Sequence, residues 1–104
     1  MIRVTFRTRQ GQLTGFRITG HAGAGTAGED IVCAAVSSAA YMTANTLTDV
    51  LCLPTDITVK DGLMDVTVTG DITAAQALLS GFRLHLTALQ EAYPQRVHPI
   101  NTEV

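Results

Sequence analysis

TDITVKDGLMDVTVT, residues 55–69, is the stretch that decides the fold. Asp61-Gly62 lies between two runs in which apolar and polar residues alternate. Asp-Gly readily adopts the two positive-φ positions of a type I′ turn, whose twist matches that of the flanking strands. Closing the turn at Lys60 and Leu63 sets Val59 opposite Met64 and Ile57 opposite Val66, so one face of the hairpin is apolar. A one-residue slip would turn that set to the other face, which makes the register well specified. A lone hairpin is marginal in water, so this one needs further strands and a covering layer.

The residues on either side supply both. At the N-terminus Ile2, Val4 and Phe6 alternate with Arg3, Thr5 and Arg7, the pattern of a half-buried strand. Gln10-Gly11 makes a turn, and a second strand follows with Phe16 and Ile18 inward. Leu13 is out of phase with Phe16, which predicts a bulge near Gly15. From about Asp30 to Leu51 the period is helical, with Val32, Val36, Ala39, Met42, Thr43, Leu47 and Val50 able to share one side. The other side carries Ala34, Ser38, Tyr41 and Asn45, small or uncharged where a solvated helix shows Lys or Glu. That composition predicts a helix covered on both sides, the second cover being another copy of the chain. A second helix begins near Asp71 or Thr73, carries Leu78, Leu79, Phe82, Leu86, Leu89 and Tyr93 at helical steps, and stops at Pro94. The order is β-β-α-β-β-α in one domain, residues 1–104: an α+β fold with two helices on an antiparallel sheet, and room for a short fifth strand around Val97 before a loose end.

Composition narrows the function. The chain is 46% hydrophobic and 15% charged, the balance of a globular domain rather than a disordered one. Its net charge is −2 and its seven basic residues are scattered, so direct nucleic-acid binding is not expected. The alternating N-terminus lacks a signal peptide's apolar core, and no apolar run approaches the ~18 residues of a membrane span. Two cysteines, Cys33 and Cys52, form no CxxC pair, and the carboxylates are dispersed, so neither metal nor cofactor is expected. The reading is a cytoplasmic protein with reduced thiols and no membrane partner.

The chemistry concentrates in GHAGAGTAGEDIVCAAVSS, residues 20–38. Glycine loses the most entropy on ordering, so glycines at 20, 23, 25 and 28 imply a connection that must flex or let a ligand approach its backbone, unless it is merely a long loop. Residues 23–28 match GxGxxG literally, but that motif needs a βαβ unit and a parallel sheet, and here it follows a hairpin. Cys33 is more informative. With Asp30 as N-cap it would lie in the first helical turn, where the helix end favours a thiolate by only ~0.3–1 kcal/mol. That is less than one pKa unit, at about 1.36 kcal/mol per unit, so a cationic partner is required. His21 can take the thiol proton and return it to a leaving amine, with Asp30 or Glu29 orienting the ring. Against this stands the plain alternative of a buried small cysteine and a surface histidine. Ser37, one turn beyond Cys33, either hydrogen-bonds near the site or permits close packing. Cys52 reads as packing, His85 as solvated and His98 as part of the tail.

Gly20-His21-Ala22-Gly23, followed by Gly28-Glu29-Asp30-Ile31-Val32-Cys33-Ala34-Ala35-Val36-Ser37, resembles the signature of the bacterial ribosomal-processing cysteine protease family. Asn45, the Asp61-Gly62 hairpin and Tyr93-Pro94 extend the resemblance over almost the whole chain. It implies His21 as base and Cys33 as nucleophile, with Gly20, Gly23, Gly28, Asp30 and Ser37 in supporting or substrate-binding roles. It further implies a homodimeric endopeptidase that removes a short N-terminal extension, rich in apolar and aromatic residues, from a large-subunit ribosomal protein. Many relatives have bulkier or aromatic residues where this chain has Ala24, Thr26 and Ala27, so its substrate contacts are expected to differ. The rival readings are a non-catalytic ribosome-associated module that holds a peptide in the same cleft, and a metal or redox protein using His21 and Cys33.

Overall fold

The 55–69 hairpin forms in the register that its sequence sets, but its turn is not type I′. Gly62 has φ +72° while Asp61 stays out of the positive-φ region, and the pair with both φ positive is Gln10-Gly11 (+52° and +77°) between the first two strands. In the computed structural model, which describes residues 1–20 and 27–103 (without the side chains of 27–30 and 100–103), Lys60 pairs with Leu63, Val59 with Met64 and Ile57 with Val66. The strands are β1 (Ile2–Arg9), β2 (Gln12–Thr19), β3 (Thr55–Lys60), β4 (Leu63–Val68) and β5 (Val97–Glu103). They lie side by side as β3-β4-β2-β1-β5. Pairing is antiparallel except at β1–β5, which is parallel, so the sheet is mixed rather than wholly antiparallel. β5 extends to Glu103 because it pairs along β1 from Ile2 to Thr8, which ties down a tail expected to be loose.

The expected bulge is present. Arg7 pairs with Gly15 and Thr8 with Leu13, so Thr14 is the extra residue, and both Leu13 and Phe16 point into the core. Beyond β4's last partner on β2, Gln76 takes over the free edge. Its side chain accepts from the Leu13 N–H at 2.8 Å and donates to the Leu13 carbonyl at 2.7 Å. It thereby pins the start of the second helix to the bulge.

Both helices pack on one face of the sheet. The first, α1 (Ala27–Asn45), buries Val32, Val36, Ala40, Thr43 and Ala44. Met42 and Val50, expected inward, are 57% and 73% exposed, because the buried stripe runs through Ala40 and Ala44 instead. The helix then widens into a π-turn, Thr46–Val50, closed by Leu51 N–H donating to the Thr46 carbonyl at 2.8 Å. Thr43, Thr46 and Thr48 each donate a hydroxyl to the carbonyl four residues back, the competition that loosens a helical ladder. Ile31–Val50 has a mean hydropathy of 1.2 and is long enough to cross a membrane, contrary to the expectation that nothing here reaches that length; one side of it packs in this core. The second helix, α2 (Gln76–Ala92), follows a 3-10 turn at Ile72–Ala75, where Asp71 accepts from the Thr73 N–H at 3.0 Å.

Phe6, Phe16 and Phe82 join β1, β2 and α2 at the centre of the core, with ring centroids 4.7–6.3 Å apart. Around them lie Ile2, Val4, Leu47, Val66, Leu79 and Leu86. The Gln76 tether is the polar counterpart of this cluster. Replacing it with Leu strands both polar groups of Leu13, and the expected cost is about 1–3 kcal/mol. Urea unfolding of Gln76→Leu checks this: the midpoint falls while the slope stays that of the parent. An unchanged midpoint would mean that water satisfies the bulge equally well.

Candidate active site

α1 presents Cys33, Ser37 and Tyr41 in one stripe, because residues four apart stack along a helix face. The stripe is about 12 Å long at ~1.5 Å per residue. It forms one wall of a cleft of about 140 Å³. Ile2, Ile18 and Met64 rise from the sheet as its floor, and Val59, Lys60, Gly62 and Leu63 of the β3–β4 hairpin make the opposite wall. The cleft exists because β3 is an edge strand that neither helix covers: Ile57 and Val59, though on the inward side, are 41% and 50% exposed. Cys33 is half-buried and packs on the core's margin, its position fixed by buried Val32 and Val36 on the same helix. A thiol held this way faces an apolar trough open to an extended chain.

Gly20 closes one end of the cleft, and only glycine fits there. Its φ is +88°, and a Cβ would lie 2.5 Å from the Met1 carbonyl oxygen. Its N–H donates to the Gly62 carbonyl at 3.1 Å, which joins the end of β2 to the tip of the β3–β4 hairpin. The chain therefore leaves β2 beside the cleft at a fixed point, and His21 is the next residue.

The other expected site residues divide as follows. Ser37 lines the cleft beside Cys33. His21 and Gly23 lie outside the described residues. Gly28 and Asp30 belong to the first turn of α1. Because the helix begins at Ala27, Asp30 is within it and is not its N-cap, and Cys33 is the seventh helical residue rather than one of the first turn. Alanine and glutamate at 27 and 29 favour helix, so the helix extends one turn earlier than the expected cap. The unpaired N–H groups of a helix belong to its first four residues, so the helix end acts on Cys33 more weakly than the sequence implied. The need for an imidazole partner is correspondingly greater.

Cys52 is exposed at φ +52°, with Sγ 3.9 Å from the Asp49 carbonyl, and does not line the cleft. His85 borders a separate groove between α1 and α2, and His98 lies 3.5 Å from Gln90; neither reaches the cleft. Tyr41, Val59 and Leu63 were missed as cleft residues. Tyr41 could have been found from its spacing to Cys33 and Ser37. Val59 could not, since an alternating strand does not reveal which edge its helices leave bare.

Exposure alone would make Cys52 the faster thiol to alkylate. A Cys33 that serves as the nucleophile is expected to reverse that order. Peptide mapping after brief iodoacetamide treatment reads the order directly. Labelling confined to Cys52 would mean that Cys33 is an ordinary packed thiol.

Comparison with known proteins gives a consistent picture. The family described as Cysteine protease Prp matches residues 1–98. The fold is similar to the crystal structure of SMU.848 from Streptococcus mutans, with a TM-score of 0.89 and 32% identity over all of this chain and 96% of that one. It is also similar to two structures of the ribosomal processing protease Prp from Staphylococcus aureus, each over 98% of this chain and all of the other. One holds a substrate peptide (TM-score 0.88, 25% identity) and the other a covalently linked product peptide (0.87, 26%). Comparison with the curated proteins returns no match.

Proposed function

This chain belongs to the cysteine protease Prp family, and from that premise we propose that it is an endopeptidase removing a short N-terminal extension from a large-subunit ribosomal protein. The observation that carries the reading is the cleft itself: a half-buried thiol beside an apolar trough that continues along Val59 and Ile57 of the uncovered edge strand. Such a trough suits an extended segment of apolar and aromatic residues preceding the scissile bond. The S. aureus structures hold a substrate peptide and a covalently linked product peptide, which supports a peptide as the ligand of this cleft.

Cys33 is the nucleophile and His21 the base. The imidazole takes the Sγ proton, and the thiolate bonds to the carbonyl carbon of the scissile peptide. The tetrahedral intermediate collapses to a thioester as the imidazolium protonates the departing amine. Water, deprotonated by the same imidazole, then releases the acid and restores the thiol. Ser37 borders the nucleophile, and Gly20, Gly23, Gly28 and Asp30 are assigned supporting or substrate-binding roles. The protein works in the cytoplasm as a homodimer. Ala34, Ser38 and Met42 on the uncharged outer side of α1 support that state, as does the adjoining α1–α2 groove of about 710 Å³ bordered by Leu78 and Gly81.

Incubation with the extended ribosomal protein tests the mechanism. Cys33→Ala is expected to abolish cleavage, His21→Ala to slow it by at least ~10²-fold, the usual lower bound for a general base, and Cys52→Ala to leave it unchanged. Parent-like cleavage by both of the first two variants would overturn the assignment. Binding of the extension without cleavage by the parent would identify a peptide-holding module instead. Met42→Glu places a charge on the proposed dimer face, and sedimentation is expected to show it as a monomer where the parent is a dimer.

A further inference from the structure

Arginines at 3, 7, 9 and 17 look scattered in the sequence, but strand pairing gathers them. Ile2, Val4, Phe6 and Thr8 of β1 are buried beneath the helices, so Arg3, Arg7 and Arg9 point to the other side of the sheet. Arg17 pairs with Thr5 and joins them, because its neighbour Phe16 is buried. Four of the six arginines in the chain therefore share a face that, among the described residues, no helix covers. Alternate residues along a strand lie ~7 Å apart and neighbouring strands ~5 Å, so Arg3, Arg7 and Arg9 form a track of about 20 Å with Arg17 beside it.

Two carboxylates share this face by register, Asp56 and Asp65. Asp65 is taken up largely by Arg7, which donates to it at 2.8 and 3.1 Å and also reaches Thr67 Oγ1 at 2.6 Å. Arg17 is 4.0 Å from Asp65 and half-exposed, and Arg3 and Arg9 are exposed. The face is therefore positive on a chain whose net charge is −2. Where the bulge opens the sheet, Arg7, Arg9, Thr14 and Thr67 border a hollow of about 200 Å³. Arg7 there is engaged by Asp65, the Val66 carbonyl and Thr67, and the Thr14 and Thr67 hydroxyls donate to the Arg7 carbonyl and Asp65, so the exposed Arg9 guanidinium is the donor that the hollow offers a phosphate.

We propose that the outer face of the sheet binds the phosphate backbone of RNA, and this rests on the reading that the substrate is a ribosomal protein, which places RNA beside it. Around the arginines the face carries Thr5, Thr19 and Thr67 and no aromatic side chain. Protein–protein interfaces anchor on clusters of buried aromatic or apolar residues, whereas among the residues whose side chains are described only Leu63, at the hairpin end, is a large apolar one on this face. Guanidinium and hydroxyl groups are instead the side chains that contact phosphates without reading bases. Binding is thus sequence-independent and electrostatic, and it holds the protease near its substrate while the cleft, on the helix side, stays open.

Fluorescence anisotropy with a labelled single-stranded oligouridylate tests this. About three phosphate contacts give a log–log salt slope near −2, so affinity is expected to fall about 10- to 20-fold between ~50 and ~200 mM salt. Arg3→Glu/Arg17→Glu is expected to lose RNA binding while still cleaving a short reporter peptide. Cys33→Ala is expected to keep it, so failure of the peptidase assignment leaves the RNA measurement readable. Absence of binding by the parent at low salt, or undiminished binding by the double variant, would overturn the proposal. So would polyglutamate binding as tightly as the RNA, which would make the face a site for an acidic protein.

Discussion

Strand register governs both surfaces of this protein. A side chain's face is set by parity alone, so each pairing decides whether a residue joins the core or meets solvent. The turn at Asp61-Gly62 fixes parity for β3 and β4, which puts Met64 under the helices and Val59 on the wall of the cleft. The extra residue at Thr14 resets parity within β2, letting Leu13 and Phe16 both reach the core while Arg17 stays outside. Without that bulge either Leu13 would be exposed or the arginines of β1 would meet a differently phased partner. Gln76 supplies the bonds that β4 no longer offers at that point, so both polar groups of the Leu13 backbone are paired.

Much of this was legible because it is local. Alternation, the hairpin register about Asp61-Gly62 and the Leu13/Phe16 phase conflict are properties of neighbouring residues and appear as read; the turn type does not, because of that pair only Gly62 has a positive φ. What failed was non-local. The parallel pairing of β5 with β1 joins the two ends of the chain, and no signal within residues 97–103 gives its direction. The start of α1 was placed one turn late because Asp30 has a capping residue's chemistry, while the helix-forming Ala27 and Glu29 outweigh it. At the site, Cys33 and Ser37 were legible from spacing and Gly20 from its motif. The hairpin wall was not, since it depends on which edge the helices leave bare. The grouping of arginines was likewise invisible, because residues 3 and 17 become neighbours only through pairing.

Placing the cleft at an edge strand resolves a conflict between stability and access. The nucleophile proposed at Cys33 must be held rigidly, yet a polypeptide must reach it. Val32 and Val36 bury one side of α1 and immobilise Cys33, while the sheet extends one strand beyond the helices' cover. The apolar side chains left bare on β3 gain little from folding alone, and their burial is completed only when a peptide lies on them. Stability lost at Ile57 and Val59 thus reappears as binding energy at the site where it selects an apolar substrate.

The same two-layer design sorts charge. With both helices on one side, the uncovered side is free of packing demands, and long cationic side chains can occupy it at no cost to the core. Four arginines against Asp56 and Asp65 there, on a chain of net charge −2, leave the remaining surface with an excess of carboxylates, among them the exposed Asp49, Asp61, Asp71 and Glu91. A molecule polarised in this way does not approach a polyanion at random. Its dipole turns the sheet toward the phosphates and its helices away from them, before any specific contact forms. Orientation of the cleft relative to an RNA-rich particle is therefore a consequence of strand parity, the same constraint that built the cleft.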